Sequence, residues 1–253
     1  MPATQNAAAA ARKSELRARA VKSASVFNSR RFRRPMIRAL FFDFDGLILD
    51  TETALIEAYG DVHAEHGKAF DRVEFLRAVG HVDFSFDPWR AFAGATDADR
   101  AALETRRREC NERRTLAQPI LPGVVALLDA GAAAGLTLAV VSNSSHGHVE
   151  GQLRRLGLHA RFSFFACRGD APSPKPEPDL YKLALARFGL RGPEAVAFED
   201  SHTGSLAARR AHCRVVAVPG ASTRHHDFSH ADVRVDSLAH VVLAELVSRF
   251  DTP

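Results

Sequence analysis

Asp43 and Asp45 stand two residues apart at the end of a strongly apolar run and directly before Gly46, in the order Phe41-Phe42-Asp43-Phe44-Asp45-Gly46. Strand alternation puts both carboxyls on one side of the chain. With no adjacent Arg or Lys they repel, so either a cation joins them or one of them keeps a proton. Gly46 gives the backbone freedom for a tight exit, and Asp50-Thr51-Glu52 then reads as a helix start. Turn and capping roles for the two aspartates are the competing interpretation.

Three more strand ends carry polar groups. Val140-Val141 runs into Ser142-Asn143-Ser144-Ser145, where hydroxyls and free amides meet a helix start that favours anions, as phosphate binding requires. Alone this signal is weak, because Ser and Asn are also ordinary helix caps. The same triplet from Asn143 matches a glycosylation sequon, which is set aside because nothing in the chain indicates secretion. Lys175, one of five lysines, lies in Ser173-Pro174-Lys175-Pro176-Glu177-Pro178-Asp179, a segment stiffened by three prolines. Glu199-Asp200-Ser201 closes a further apolar run, and oxygen ligands of this kind select a hard cation such as magnesium.

The elements that must position these groups alternate short apolar runs with amphipathic stretches, which predicts an α/β fold with a parallel sheet covered by helices. Strands are expected at residues 39–44, 136–142, 162–167, 195–198 and 214–218. Helices are expected from a first turn at Pro122 to a stop at Gly135, over 149–156 before Gly157, and over 179–188 before Gly189. About 90 residues separate the first two strands where a crossover needs roughly a dozen, so something is inserted. Residues 51–66, 72–79, 88–92 and 99–116 have helical spacing or helix-start signals, which predicts a small helical cap. The last of these carries Arg106, Arg107, Arg108, Arg113 and Arg114, expected as a solvated surface rather than a phosphate-binding face.

The 253 residues are 46% hydrophobic and 25% charged, ordinary globular values that exclude global disorder. No apolar run approaches the roughly 18–20 residues needed to span a bilayer, so no membrane association is expected. Three scattered cysteines suit a reducing compartment rather than a disulfide framework. The net charge of +4 is concentrated in residues 1–38, which hold ten Lys or Arg against Glu15 alone; the remainder has 24 basic and 29 acidic residues, a net −5. A body of negative sign argues against a nucleic-acid partner. Residues 1–36 are expected to be a disordered basic extension. Their composition suits a transit peptide, but Met36, the one Met besides Met1, stands directly before the first strand and favours a dispensable leader. The expected location is cytoplasmic, or an organelle if residues 1–36 are a transit peptide.

The four segments, in this order, resemble the haloacid dehalogenase superfamily of aspartate-nucleophile phosphotransferases, within it the branch of phosphatases similar to β-phosphoglucomutase. The resemblance covers about residues 37–220: Asp-x-Asp-Gly-x-x-x-Asp-Thr-Glu at 43–52, the hydroxyl motif at Ser142, the lysine motif at Lys175 and the acidic motif at Glu199 to Ser201. It implies a Rossmann-like core, 37–52 and 118–253, with a helical cap at 53–117. It further implies that Asp43 is the nucleophile, forms an aspartyl phosphate and ligates Mg2+, and that Asp45 is the acid and base, its carbonyl a metal ligand. Ser142 and the amide of Asn143 would hold phosphoryl oxygens, Lys175 would neutralise charge, and Asp200 would ligate the metal with Glu199 in support. The implied activity is magnesium-dependent hydrolysis of a small phosphorylated metabolite such as a sugar phosphate, by a protein expected to be a monomer.

Dehalogenases of the superfamily need no magnesium and lack the acid two residues on, so Asp45 and Asp200 favour phosphate chemistry. The sugar phosphomutases are the alternative, but they carry His four residues after the Thr corresponding to Thr51, where this chain has Leu55, and no Arg-bearing loop is evident in residues 80–86. A catalytically silent binding protein is the alternative of another class. In a capped phosphatase the leaving group contacts the cap, making His81, Asp83, Phe84, Phe86 and Trp89 specificity candidates, although core packing is the expected fate of the aromatics. The histidines of residues 224–230 are expected to be a solvated loop rather than a metal site, because no helix or strand holds the rings.

Overall fold

The computed structural model describes residues 37–78 and 86–251. β1 (Ala39–Phe42), β2 (Thr137–Val141), β3 (Phe164–Ala166), β4 (Ala195–Glu199), β5 (Arg214–Ala217) and β6 (Val233–Arg234) form one sheet in the order β3-β2-β1-β4-β5-β6, every pair parallel. The α/β class and the five anticipated strands are therefore present, each within a residue or two of its expected bounds. β6 is additional; at two residues it is too short to leave a periodic trace in the sequence.

Strand parity divides the core between the two faces. Leu40, Phe42, Val140, Val196, Phe198 and Val216 pack on one side against α4 (Val124–Ala133), α5 (His146–Arg155) and α8 (Leu243–Asp251). Ala39, Phe41, Ala139, Val141, Ala195, Ala197 and Val215 pack on the other against α6 (Asp179–Arg187) and α7 (His202–Arg210). α4 starts after the N-cap Gly123, so Pro122 precedes the helix rather than occupying its first turn. Because β1 pairs with β2 on one side and β4 on the other, the strand order reverses there, and a crevice opens beyond the carboxyl ends of all three.

Between β1 and β2 lie α1 (Thr51–Glu65), α2 (Arg72–Ala78), a single 3-10 turn (Arg90–Phe92) and α3 (Asp97–Ala117). Ala58, Val62, Trp89, Leu103 and Cys110 make a separate small core there. The arginines of α3 mostly bond to carboxylates: Arg106 to Glu65 at 2.8 Å, Arg114 to Asp61 at 2.6 Å, and Arg107 to Glu104. Two of these pairs tie α3 to α1, which explains them without a phosphate partner. No described helix is long and apolar enough to cross a membrane.

Candidate active site

The register sets the site. Phe42 is level with Val140 and Phe198, so the residues following β1, β2 and β4 emerge side by side. The Asp43 N–H donates to Phe198 O at 3.0 Å and the Ser142 N–H to Ala166 O at 2.9 Å, extending each strand to the first polar residue. Asp43, Asp45, Ser142, Asn143, Lys175 and Asp200 line one cavity of about 470 Å³, of a size for a small metabolite.

Lys175 sits beneath them, buried, with its three ammonium protons directed to Asp43 Oδ1 at 2.8 Å, Val141 O at 2.7 Å and Glu199 Oε1 at 2.5 Å. Its backbone is clamped from the next loop: the Lys175 N–H donates to Asn143 Oδ1 at 2.8 Å and Asn143 Nδ2 donates to Lys175 O at 3.1 Å. The Asn143 side chain thus holds the lysine loop, a role not visible in its sequence context. Glu199 is fully buried below the cavity floor, and its Oε1 also accepts from Tyr181 OH.

Asp43, Glu199 and Asp200 offer ligand oxygens within 4.8 Å of one another. Three buried carboxylates face one ammonium, and Glu199 Oε2 is buried with no hydrogen-bond partner. Burial pushes Asp43 and Asp200 above the usual carboxylate range and Glu199 up to about 7. The cradle is closed by two glycines. A Cβ on Gly46, whose φ is +75°, would lie 2.2 Å from Asp200 Oδ2, and one on Gly204 would lie 1.9 Å from Glu199 Oε2. An all-oxygen set with excess negative charge fits a hard divalent cation. Metal-free protein should lose stability as pH rises from about 4.5 to about 7, because the fold holds protons on Glu199, and on Glu52 (also about 7), that the unfolded chain releases near 4.5. A divalent cation held by Asp43, Glu199 and Asp200 would compete with the proton on Glu199, so the rise in melting temperature on adding Mg2+ should grow with pH; an increment constant with pH would count against this arrangement.

Asp45 is held differently. Its Oδ1 accepts from Thr51 Oγ1 at 2.7 Å and His148 Nε2 at 3.0 Å, and its Oδ2 from Ser144 Oγ at 2.6 Å, with Ser142 Oγ at 3.5 Å. Burial raises it, but the bonds from His148, Ser144 and Thr51 prevail and hold it below its usual range, while the same contact raises His148. The two aspartates are thus pushed in opposite directions, Asp43 upward by burial against the pull of Lys175 and Asp45 downward by its hydrogen-bond donors. His148 leaves no mark in the sequence because it lies in α5, where two histidines, His146 and His148, stand among polar residues with nothing to single either out. The cavity is also lined by Leu55, so the histidine on Asp45 comes from the core and not from the position four residues after Thr51. His148→Ala should lower kcat by about 10- to 100-fold for a sugar phosphate, and less for p-nitrophenyl phosphate, whose leaving group needs no proton. Equal losses for both substrates would show that His148 does not serve proton transfer.

Of the expected cap contacts two fall on described residues, Phe86 and Trp89, and neither lines the cavity. His81, Asp83 and Phe84 fall outside the described residues. Trp89 is buried in the small cap core, stacked on His63 with ring centroids 5.5 Å apart, and does not line the cavity. Phe86 packs on Phe70 and Phe75. The inserted helices instead contribute Thr51, Glu52 and Leu55 from α1 and Asn111 from α3. Asn111 Oδ1 is buried without a hydrogen-bond partner, which makes it a polar group available to a substrate.

Comparison with known proteins agrees with this geometry. Residues 40–218 match the family model described as haloacid dehalogenase-like hydrolase. A Bacillus subtilis (strain 168) protein named "Putative phosphatase YhcW" is 35% identical over 219 residues, covering 86% of this chain and 99% of that protein. Hexitol phosphatase A of Escherichia coli is 32% identical over 182 residues, 72% of this chain and 82% of that protein. Among solved structures, a mutant of CbbY from Rhodobacter sphaeroides in complex with xylulose-(1,5)bisphosphate aligns with a TM-score of 0.64 at 29% identity, covering 83% of this chain and 99% of that one.

Proposed function

We propose that this chain, which belongs to the haloacid dehalogenase-like hydrolase family, is a magnesium-dependent phosphatase that hydrolyses a small phosphorylated metabolite through an aspartyl phosphate on Asp43. The observation that carries the proposal is the pairing of two unlike carboxyls in one cavity: Asp43 bound to Lys175 within the acidic cluster, and Asp45 bound to neutral donors and His148.

In the first half-reaction an Asp43 carboxylate oxygen attacks phosphorus, and the bond to the alcohol oxygen breaks as Asp45 gives that oxygen a proton. The entering phosphoryl group brings negative charge beside Asp45, which raises its carboxyl from the depressed resting state and lets it carry this proton. In the second, Asp45 takes a proton from water, the water oxygen attacks phosphorus, and the bond to Asp43 breaks to release inorganic phosphate. Lys175 offsets charge at Asp43 throughout, and Ser142 and Asn143 hold the transferred group at the end of β2. A divalent ion on Asp43, Asp200 and the Asp45 carbonyl, with Glu199 in support, would neutralise phosphoryl charge and keep Asp43 ionised.

Sugar phosphates are the favoured substrates: the cavity suits a small molecule, and the similar proteins include a hexitol phosphatase and a structure holding a sugar bisphosphate. Leu55 in the cavity wall favours hydrolysis over phosphomutase chemistry. A panel of sugar monophosphates and bisphosphates should show Mg2+-dependent release of inorganic phosphate that chelator abolishes. Isomerised sugar phosphate without phosphate release would establish the mutase instead, and inactivity of folded, metal-loaded protein on the whole panel would favour a binding protein.

A further inference from the structure

The histidines of residues 224–230 lack a rigid element of their own, but the fold supplies one from a distant part of the chain. His202 is the first residue of α7, and its ring meets that of His230 edge to face, with centroids 5.1 Å apart. Asp227 completes the group: each of the three offers a ligand atom, and these atoms lie within 4.8 Å of one another.

Hydrogen bonds to protein oxygens fix both rings. His202 Nδ1 is 2.7 Å from Asp227 O. A carbonyl only accepts, so Nδ1 carries the proton and Nε2 the lone pair of the neutral ring. His230 Nε2 is 2.9 Å from Ser205 Oγ, whose own proton is directed to Ser201 O at 2.7 Å. Ser205 Oγ therefore accepts from Nε2–H, leaving the lone pair on Nδ1. The Asp227 carboxylate is held in turn by Ser229, which donates its N–H to Oδ1 at 2.8 Å and its hydroxyl to Oδ2 at 3.0 Å. Imidazoles whose second nitrogen is anchored to a protein oxygen, beside an ordered carboxylate, make a ready set of metal ligands.

We propose that His202, Asp227 and His230 bind a transition-metal cation of the zinc type at a second site, distinct from the catalytic cavity, which none of the three lines. Two nitrogens and one carboxylate suit Zn2+, whereas the all-oxygen catalytic cluster suits Mg2+, so the two sites select different ions. Asp227 is exposed and the histidines half-buried, which leaves an entry path and coordination positions for water. The site joins the start of α7 to the loop at 220–230. Asp200, Ser201, Thr203 and Gly204 on the first of these, and Thr223 on the second, line the catalytic cavity. A bound ion would tie these two parts of the cavity wall together.

The test is calorimetric titration of Zn2+ into tag-free, chelator-stripped full-length protein with Mg2+ in constant excess, with Co2+ as the spectroscopic substitute. Wild type should take up one equivalent of Zn2+, and Co2+ should give the visible bands of nitrogen ligation. His230→Ala should abolish both signals. Ser205→Ala, which removes the anchor of the His230 ring together with the hydroxyl's bonds to the Ser201 and His202 carbonyls, should weaken binding about tenfold. Both variants should keep Mg2+-dependent hydrolysis and the wild-type melting temperature in chelator, showing that they fold. Absence of Zn2+ binding by the wild type in Mg2+, or the same titration in wild type, His202→Gln and His230→Ala, would overturn the proposal.

Discussion

Asp43→Asn is expected to lower turnover by about 10⁴- to 10⁶-fold, the loss seen when a covalent nucleophile is removed, while leaving the fold intact. The amide keeps the size of the carboxyl and can still accept from Lys175, but its oxygen is a poor nucleophile toward phosphorus. Stability should move the other way. Asp43 is one of three buried carboxylates crowded around one ammonium, and burial raises it despite Lys175. Removing its charge relieves repulsion with Glu199 and Asp200, and Lys175 keeps Glu199 Oε1 and Val141 O. In chelator near neutral pH the variant should therefore melt no lower than wild type. Substantial residual turnover would contradict the chemistry; a large drop in melting temperature would contradict the electrostatics.

Lys175→Met should lose both. The side chain keeps its length and loses its charge, leaving Asp43, Glu199 and Asp200 buried without the cation that offsets them. Breaking a buried pair from one side costs about 3–5 kcal/mol, because the partner left behind has no compensation. Denaturant unfolding in chelator at neutral pH should show a loss of that order, smaller at acid pH where Glu199, raised to about 7, takes up its proton. Hydrolysis should fall to near background even with Mg2+ added. The two variants touch the same 2.8 Å salt bridge from opposite ends and should differ in the sign of their effect on stability. Equal destabilisation by both would mean that the bridge is worth what it contributes as a pair, and that the surplus of buried negative charge is not what strains the site.

The sheet was legible because its strands are buried on both faces and read as apolar runs, and because a polar residue at a strand end has to face the crevice. That logic points to Asp43, Ser142 and Asp200 from the sequence alone, and the long gap after β1 points to the inserted helices. Contacts set by tertiary geometry were not legible. His148 reaches Asp45 from inside a polar helix, Asn143 turns its side chain back to the Lys175 backbone, and Asn111 enters the cavity from a helix read as an arginine-rich surface. Trp89 takes the role expected of the cap aromatics: the small cap needs a large side chain for its own core and uses this one. The His202 pairing is hidden for the same reason, since nothing local links residue 202 to residue 230.

The covalent step can be tested most directly by trapping it. Asp45→Asn protein, mixed with p-nitrophenyl phosphate and Mg2+ and quenched in acid, should carry one phosphoryl group, because the leaving group needs no proton but the water that would clear the intermediate needs a base. Peptide mapping by mass spectrometry should place that group on Asp43 and nowhere else. A phosphoryl group on Ser142, Ser144 or a histidine, or steady turnover by Asp43→Asn with no covalent adduct, would contradict the account.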